Sequence, residues 1–279
     1  MKNITVDLIN DYKKHLNREE KSQATLEKYV RDITAFKVWM KDSELTKEKV
    51  LDYKSYLTEN YAPASVNSML SSINSFFEYN EWYELRVRSL KIQKKIFADK
   101  DKELSKAEYE RLLKAAKRKN NEQLNLLMQT ICSTGIRVSE LRAITVSAIK
   151  SRQATINCKG KMRVIILPNE LCKMLMRYIK KRNIISGAVF VTRNGRPLDR
   201  SNIWRLMKNL CEDAGVSKNK VFPHNLRHLF ARTYYSLEKD IVRLADILGH
   251  SSVNTTRIYT MADSEIHRKQ IQRLGLLRC

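Results

Sequence analysis

The chain has 279 residues, enough for one large or two modest domains, and 43% of them are apolar, enough for a real core. Its 53 lysines and arginines against 30 acidic residues leave a formal charge of +23, which repels itself in a compact fold and makes a polyanion the natural partner. No apolar run approaches the roughly 20 residues of a membrane span, and the few glycines and prolines favour a mainly helical protein.

The N-terminal MKNITVDLINDYKKHL carries acids within its first apolar stretch and does not read as a signal peptide. Leu8, Tyr12 and Leu16 recur at helical spacing. Ser22 is placed to cap a second helix, in which Leu26, Tyr29, Val30, Ile33 and Phe36 repeat through Trp39. Val50, Leu51 and Leu57 suggest a third helix. A fourth opens at Pro63 and runs through Val66, Met69, Leu70, Ile73, Phe76 and Phe77. Residues 1–90 are thus expected to form a helical bundle whose aromatic residues are core rather than base-stacking platforms.

The pattern breaks in LKIQKKIFADKDKEL, and residues 91–104 read as a basic linker. It is either a solvated charge run or a strap across a phosphate backbone. Ser105, with Glu108 three residues on, has the form of a capping box. A second helix of this region passes through Leu124, Leu127, Met128 and Ile131. TINCKGKMRVIILP contains two β-rich runs around Lys159, Gly160 and Lys161, hence a hairpin with a basic tip. After Pro168 the chain is expected to be helical to its end. Residues 105–279 therefore read as a second, mostly helical domain with a small antiparallel sheet.

Arg137, in STGIRVSELRAI, follows Gly135 at the start of a helical pattern, where its fork can face a phosphate; Glu140 is placed to brace it. Alone, this would read as a surface ion pair. Lys159 at the hairpin tip would by itself be a solubilising lysine. FPHNLRHLFA sets His224 and Arg227 three apart on one helical face, with Leu226, Leu229 and Phe230 opposite. His228 lies four residues from His224, but a metalloprotease helix needs Glu where Asn225 stands, and no third ligand suggests itself. We therefore expect no metal and no cofactor, with His228 structural or supporting. In ADILGHSSVNTTRIYT a stripe of Ile241, Leu244, Ala245 and Leu248 ends at Gly249, and His250 emerges next. Asn254 is placed to cap the following helix, with Tyr259 about one and a half turns in. The five cysteines form no C-x-x-C pair, and their odd number argues against a disulfide framework; they read as thiols of a cytoplasmic protein.

These residue types suit one chemistry. A free tyrosine has a pKa near 10 and is a poor nucleophile at neutral pH without a base or nearby cations. A phosphorane-like transition state gains charge on its non-bridging oxygens, which two arginines and an imidazole can neutralise. The departing sugar oxygen needs a proton, which a lysine or histidine can supply.

TGIRVSEL, CKGKMRVI, HNLRH, LGHSS and the closing Tyr259 resemble a tyrosine recombinase of the phage integrase family, Xer-like branch. TLEKYVRDITAFKVWM and SVNSMLSSINSFFEY resemble that family's core-binding helical, SAM-like domain. The resemblance implies a catalytic set of Arg137, Lys159, His224, Arg227, His250 and Tyr259. In it Tyr259 forms a 3′-phosphotyrosyl bond, while Arg137, Arg227 and His250 bind the scissile phosphate. His224 assists proton transfer and Lys159 protonates the leaving 5′-oxygen. The hairpin turn is shorter than is usual in the family, so Lys161 is an alternative to Lys159. Also implied are a C-shaped clamp on double-stranded DNA with inverted-repeat sites, a homotetramer at the synapse and a Holliday-junction intermediate. A basic tail helix carrying Ile266, Ile271 and Leu274 is expected to dock into a neighbouring protomer. The competing readings are a DNA-binding accessory protein with an inactive site, and a type IB topoisomerase.

Overall fold

The Thr5 hydroxyl accepts the Leu8 N–H at 3.2 Å and starts α1 (Val6–Arg18), satisfying a donor that a helix start would otherwise leave unpaired. The same device begins α2 (Gln23–Met40) at Ser22 and α3 (Lys47–Asn60) at Thr46. Pro63, with its fixed φ, begins α4 (Pro63–Tyr79). This computed structural model describes residues 2–41, 43–92, 100–158, 161–259 and 272–273. The chain divides into two units, Met1–Lys94 and Lys95–Cys279.

The first unit packs these four helices around Tyr12, Ile33, Phe36, Val50, Leu70, Phe76 and Phe77, all fully buried. Of the aromatic residues on its stripes, Tyr12, Phe36, Phe76 and Phe77 are core, as their positions predict, and Tyr29 and Trp39 are partly buried against it. Leu51 is a correction: it is 45% exposed, because the inward face of α3 follows Val50, Tyr53 and Leu57 and position 51 falls a quarter turn away. Likewise Ile9 takes the buried place beside Tyr12 and Leu16, with Leu8 only partly covered.

In the second unit, Ser105 and Glu108 form the expected capping box at the start of α5 (Lys106–Arg118). Helix α6 (Glu122–Thr134) is buried on nearly every side, from Leu124 to Thr134, and is the axis of this unit. A 3₁₀ turn (Val138–Ala143) and α7 (Val146–Ser151) lead to strands β1 (Gln153–Cys158) and β2 (Lys161–Ile166), paired antiparallel with Ile156 opposite Arg163. Alternation along the strands turns Ala154, Ile156 and Ile165 to the core and leaves Met162, Val164 and Ile166 exposed. Helices α8 (Asn169–Lys181), α9 (Arg200–Lys208), α10 (Cys211–Ala214), α11 (Pro223–Glu238), α12 (Ile241–Leu248) and α13 (Val253–Thr256) follow.

Two expectations about this half are corrected. Residues 183–199 are not helical: Thr145 bridges Ala188, Val191 bridges Pro197, and the Thr192 N–H donates to the Arg196 carbonyl at 2.7 Å. The β-branched run around Phe190 and the Asn194-Gly195 turn outweigh any helical tendency there. Residues 102–104, expected in the linker, are instead packed into this unit. Leu104 is fully buried, Arg232 of α11 pairs with Glu103 and donates to the Leu104 carbonyl at 2.7 Å, and Asn225 donates to the Lys102 carbonyl at 2.7 Å.

Candidate active site

Two glycines bring the predicted residues together. Gly135 ends α6 with φ +64°, and a Cβ there would lie 2.5 Å from the Phe230 ring. Gly249 ends α12 with φ +63°, and a Cβ there would lie 2.5 Å from Cδ of Arg163. Only glycine allows both the left-handed backbone and the close approach. With these ends so close, carbonyls from α6 and α12 converge on one arginine of α11.

That arginine is Arg227, 1% exposed. Its Nη1 donates to the Gly135 carbonyl at 2.5 Å and its Nη2 to the Leu248 carbonyl at 2.7 Å, with His250 Nε2 3.0 Å from the same Nη2. A guanidinium only donates, so Nε2 accepts, and the His250 proton lies on Nδ1, 2.9 Å from the Thr256 hydroxyl. The Arg227 Nε is buried without a partner among the described residues. Burial, then the neighbouring Arg137, pull the Arg227 pKa down to about 10, with the Tyr259 phenol acting in the opposite sense, so the group stays cationic at neutral pH.

Arg137 lies just after Gly135. Its Nη1 meets Glu140 Oε1 at 2.9 Å, its backbone N–H meets Glu140 Oε2 at 2.9 Å, and its Nη2 donates to the Gly249 carbonyl at 2.9 Å. Glu140, 7% exposed, also takes an ion pair from Arg163. Burial alone would raise the Glu140 carboxyl, but the hydrogen bonds from Arg137 and the charge of Arg163 overcome it and hold the group ionised. The brace expected between Glu140 and Arg137 is therefore present, with the carboxylate buried and the guanidinium partly exposed.

Tyr259 ends a 3₁₀ turn (Arg257–Tyr259) that continues α13, and it is 5% exposed. Its ring meets His228 edge-on at 4.8 Å and lies nearly parallel to His250 at 6.1 Å. His224 is on the same helix as Arg227, exposed, with its ring 4.5 Å from His228. All three imidazoles are pushed toward neutrality. Burial and the arginines bring His250 to about 4, and burial with His224 beside it brings His228 to about 4. Exposed as the residue is, partial desolvation of its ring and then Arg227 lower His224.

The structure thus gathers Arg137, Arg227, His250 and Tyr259 around one point, with His224 at its edge. Lys159 lies outside the described residues, as does the tail with Ile266, Ile271 and Leu274; the alternative, Lys161, opens β2. Among the described residues, no group of three or more metal-ligating side chains occurs. Asn225, in the place of a metalloprotease Glu, instead donates to the Lys102 and Lys220 carbonyls, each at 2.7 Å. The cap before Tyr259 is also corrected. Ser252, not Asn254, begins α13, its hydroxyl accepting the Asn254 N–H at 3.2 Å, because the helix starts at Val253. Sequence reading missed Thr256 and Arg163. A threonine three residues before the tyrosine was the available signal for the first; nothing local marked the second.

The model of the phage integrase family matches residues 102–265, and that of the phage integrase N-terminal SAM-like domain matches residues 9–84. The chain belongs to the phage integrase family. The tyrosine recombinase XerD of Oceanobacillus iheyensis is 31% identical over 267 residues, covering 86% of this chain and 88% of that protein. A lambda integrase dimer bound to a COC′ core site aligns over 91% of this chain and 94% of its own, with a TM-score of 0.75 at 19% identity. A lambda integrase tetramer bound to a Holliday junction aligns over 92% and 77%, with a TM-score of 0.73 at 20% identity. All six candidate residues fall inside the segment matched to the phage integrase family.

Proposed function

We propose that this tyrosine recombinase cuts and rejoins duplex DNA at specific sites through a 3′-phosphotyrosyl intermediate, with Tyr259 as nucleophile. The observation that carries this reading is the meeting of Tyr259, His250 and the buried Arg227: α11, the turn after α12 and the 3₁₀ turn after α13 bring a fixed cation, an imidazole and a phenol together. Tyr259 Oη attacks the scissile phosphorus, its proton passing to His224 or to solvent, and the bond to the 5′-oxygen breaks. That oxygen takes its proton from Lys159 or, failing it, Lys161. Arg137 and Arg227 bind the non-bridging oxygens as preorganised donors, each contributing a few kcal/mol. His250, neutral in the free chain, gains proton affinity beside a phosphate and becomes a further donor. Since the ester energy stays in the phosphotyrosine, attack by a free 5′-hydroxyl reverses the step without ATP.

The charge of +23 supports binding along a phosphate backbone. The lambda integrase tetramer on a Holliday junction supports assembly of four copies, which we place on duplex DNA with inverted-repeat sites. The free thiols Cys132, Cys172 and Cys211 and the absence, among the described residues, of a helix long and apolar enough to cross a membrane support action in the cytoplasm, away from membranes. The first unit, with the basic segment after it, would hold the DNA, and the second would do the chemistry.

The test uses a duplex that this protein selects from a random-sequence pool, nicked near its centre so that cleavage traps the adduct. Wild type should form a covalent protein–DNA species, and Tyr259→Phe, which loses one oxygen, should form none while binding within about threefold. An adduct in the Phe variant would refute the assignment. No adduct with either protein would favour an inactive DNA-binding role.

A further inference from the structure

Resting on that reading, we infer that Arg163 is a positioning residue for cleavage: it clamps the Glu140–Arg137 pair to the end of the helix that delivers His250. Arg163 is on β2, two residues after Lys161 and far in sequence from both groups it joins. Its Nη1 donates to the Ile247 carbonyl in the last turn of α12 at 2.7 Å, and its Nη2 pairs with Glu140 Oε2. The other Glu140 oxygen holds Arg137 Nη1, and Arg137 Nη2 returns to the Gly249 carbonyl. These bonds close a ring: β2, the 3₁₀ turn after α6, and the end of α12 are fixed to one another through a single carboxylate. The stem of Arg163 lies where a Cβ at position 249 would stand, so the absent side chain of Gly249 is the space it occupies.

The ring suits arginine. Two nitrogens of one planar fork meet the carbonyl and the carboxylate separately, whereas a lysine would have to bring both acceptors to a single nitrogen at the end of a flexible stem. Arg163 is only 14% exposed in its side chain and its Nε is buried, so it does not face solvent as a generic basic residue would. Its partners set the pose of Arg137 and of the turn carrying His250. Without it, the Glu140–Arg137 pair is tied to the end of α12 only through the Arg137 bond to the Gly249 carbonyl, and the two sides of the phosphate site are held at one point instead of two. A displacement of about 1 Å in such a site can cost about a hundredfold in rate.

Single-turnover adduct formation on the selected nicked duplex tests this, with Arg163→Ala, Arg163→Lys and Glu140→Ala each alone, and Arg163→Ala combined with Glu140→Ala. Arg163→Ala should slow the maximal rate by about a hundredfold, with half-saturating DNA changed less than about threefold. Arg163→Lys should recover less than a tenth of the lost rate. In the Glu140→Ala background the Arg163 change should cost less than about threefold further, since both act through the same ring. Cleavage by Arg163→Ala within about threefold of wild type would overturn the inference, as would full rescue by lysine or equal losses in both backgrounds. If Arg163→Ala does not fold, the lysine variant and its combination with Glu140→Ala decide the matter by the same rates. Failure of wild type itself to form an adduct would count against the recombinase reading instead.

Discussion

The first unit and the neighbourhood of Arg227 are both densely packed, but they are held together in opposite ways. In the first unit, rings meet rings: Tyr12 on Phe76 at 5.3 Å, Phe36 on Tyr53 at 4.8 Å, Phe76 on Trp82 at 6.0 Å. Its buried charge, Asp32, is tied to Lys28 and Ser72 across α2 and α4. Around Arg227 the interior is instead built from guanidinium groups, a carboxylate and backbone carbonyls, with Arg163, Arg227 and Arg232 each keeping an Nε unpartnered among the described residues. An aromatic core is tolerant, because shape and volume suffice. A core of fixed donors costs desolvation and tolerates little, so its presence marks where charge must be held in place.

The sharpest way to break this contrast is Arg227→Lys. A lysine cannot reach the Gly135 and Leu248 carbonyls and His250 together, and single-turnover cleavage should fall by about 10²–10³-fold with DNA binding largely kept. Phe76→Ala should do the reverse. It should cost about 3–5 kcal/mol in urea unfolding of the first unit, and the molecules that remain folded should cleave at the wild-type rate when DNA is saturating.

A subtler difference appears in acid. Among the described residues, the groups displaced from their ordinary values on the acid side all lie in the second unit, with His228 and His250 at about 4. In the unfolded chain these imidazoles titrate near 6.5. Between about 6.5 and 4 the unfolded state therefore binds protons that the folded state refuses, and stability falls as pH drops; above that window the effect vanishes. Hydrogen exchange, corrected for intrinsic rates, should show 223–259 losing protection at a higher pH than 63–79. Simultaneous loss would show that the neutral imidazoles do not set the weaker unit.

What the sequence revealed was what is local. Ser22, Ser105 with Glu108, Pro63 and Gly249 act within one turn of their own position, and their residue types announce the role. Leu51 and Leu8 misled because apolar residues beside a stripe resemble members of it until a neighbouring helix fixes which face turns inward. Ser252 and Asn254 are both good caps, and only the start of α13 chooses between them. Arg163 could not be read at all: Glu140 is 23 positions away and Ile247 is 84, and neither distance has a pattern. Asn225 was legible only as a missing glutamate, whereas its amide ties α11 to the chain that enters the second unit.

The acceptors that hold Arg227 have a further consequence. Two of them are peptide oxygens, which every amino acid carries, so residue 248 can drift among side chains of similar bulk without loosening the clamp. Spacing is another matter. One residue inserted before Gly249 would rotate the last turn of α12 by about 100° and aim the wrong oxygen at the guanidinium, so position 248 tolerates a change of side chain far better than this turn tolerates a change of length.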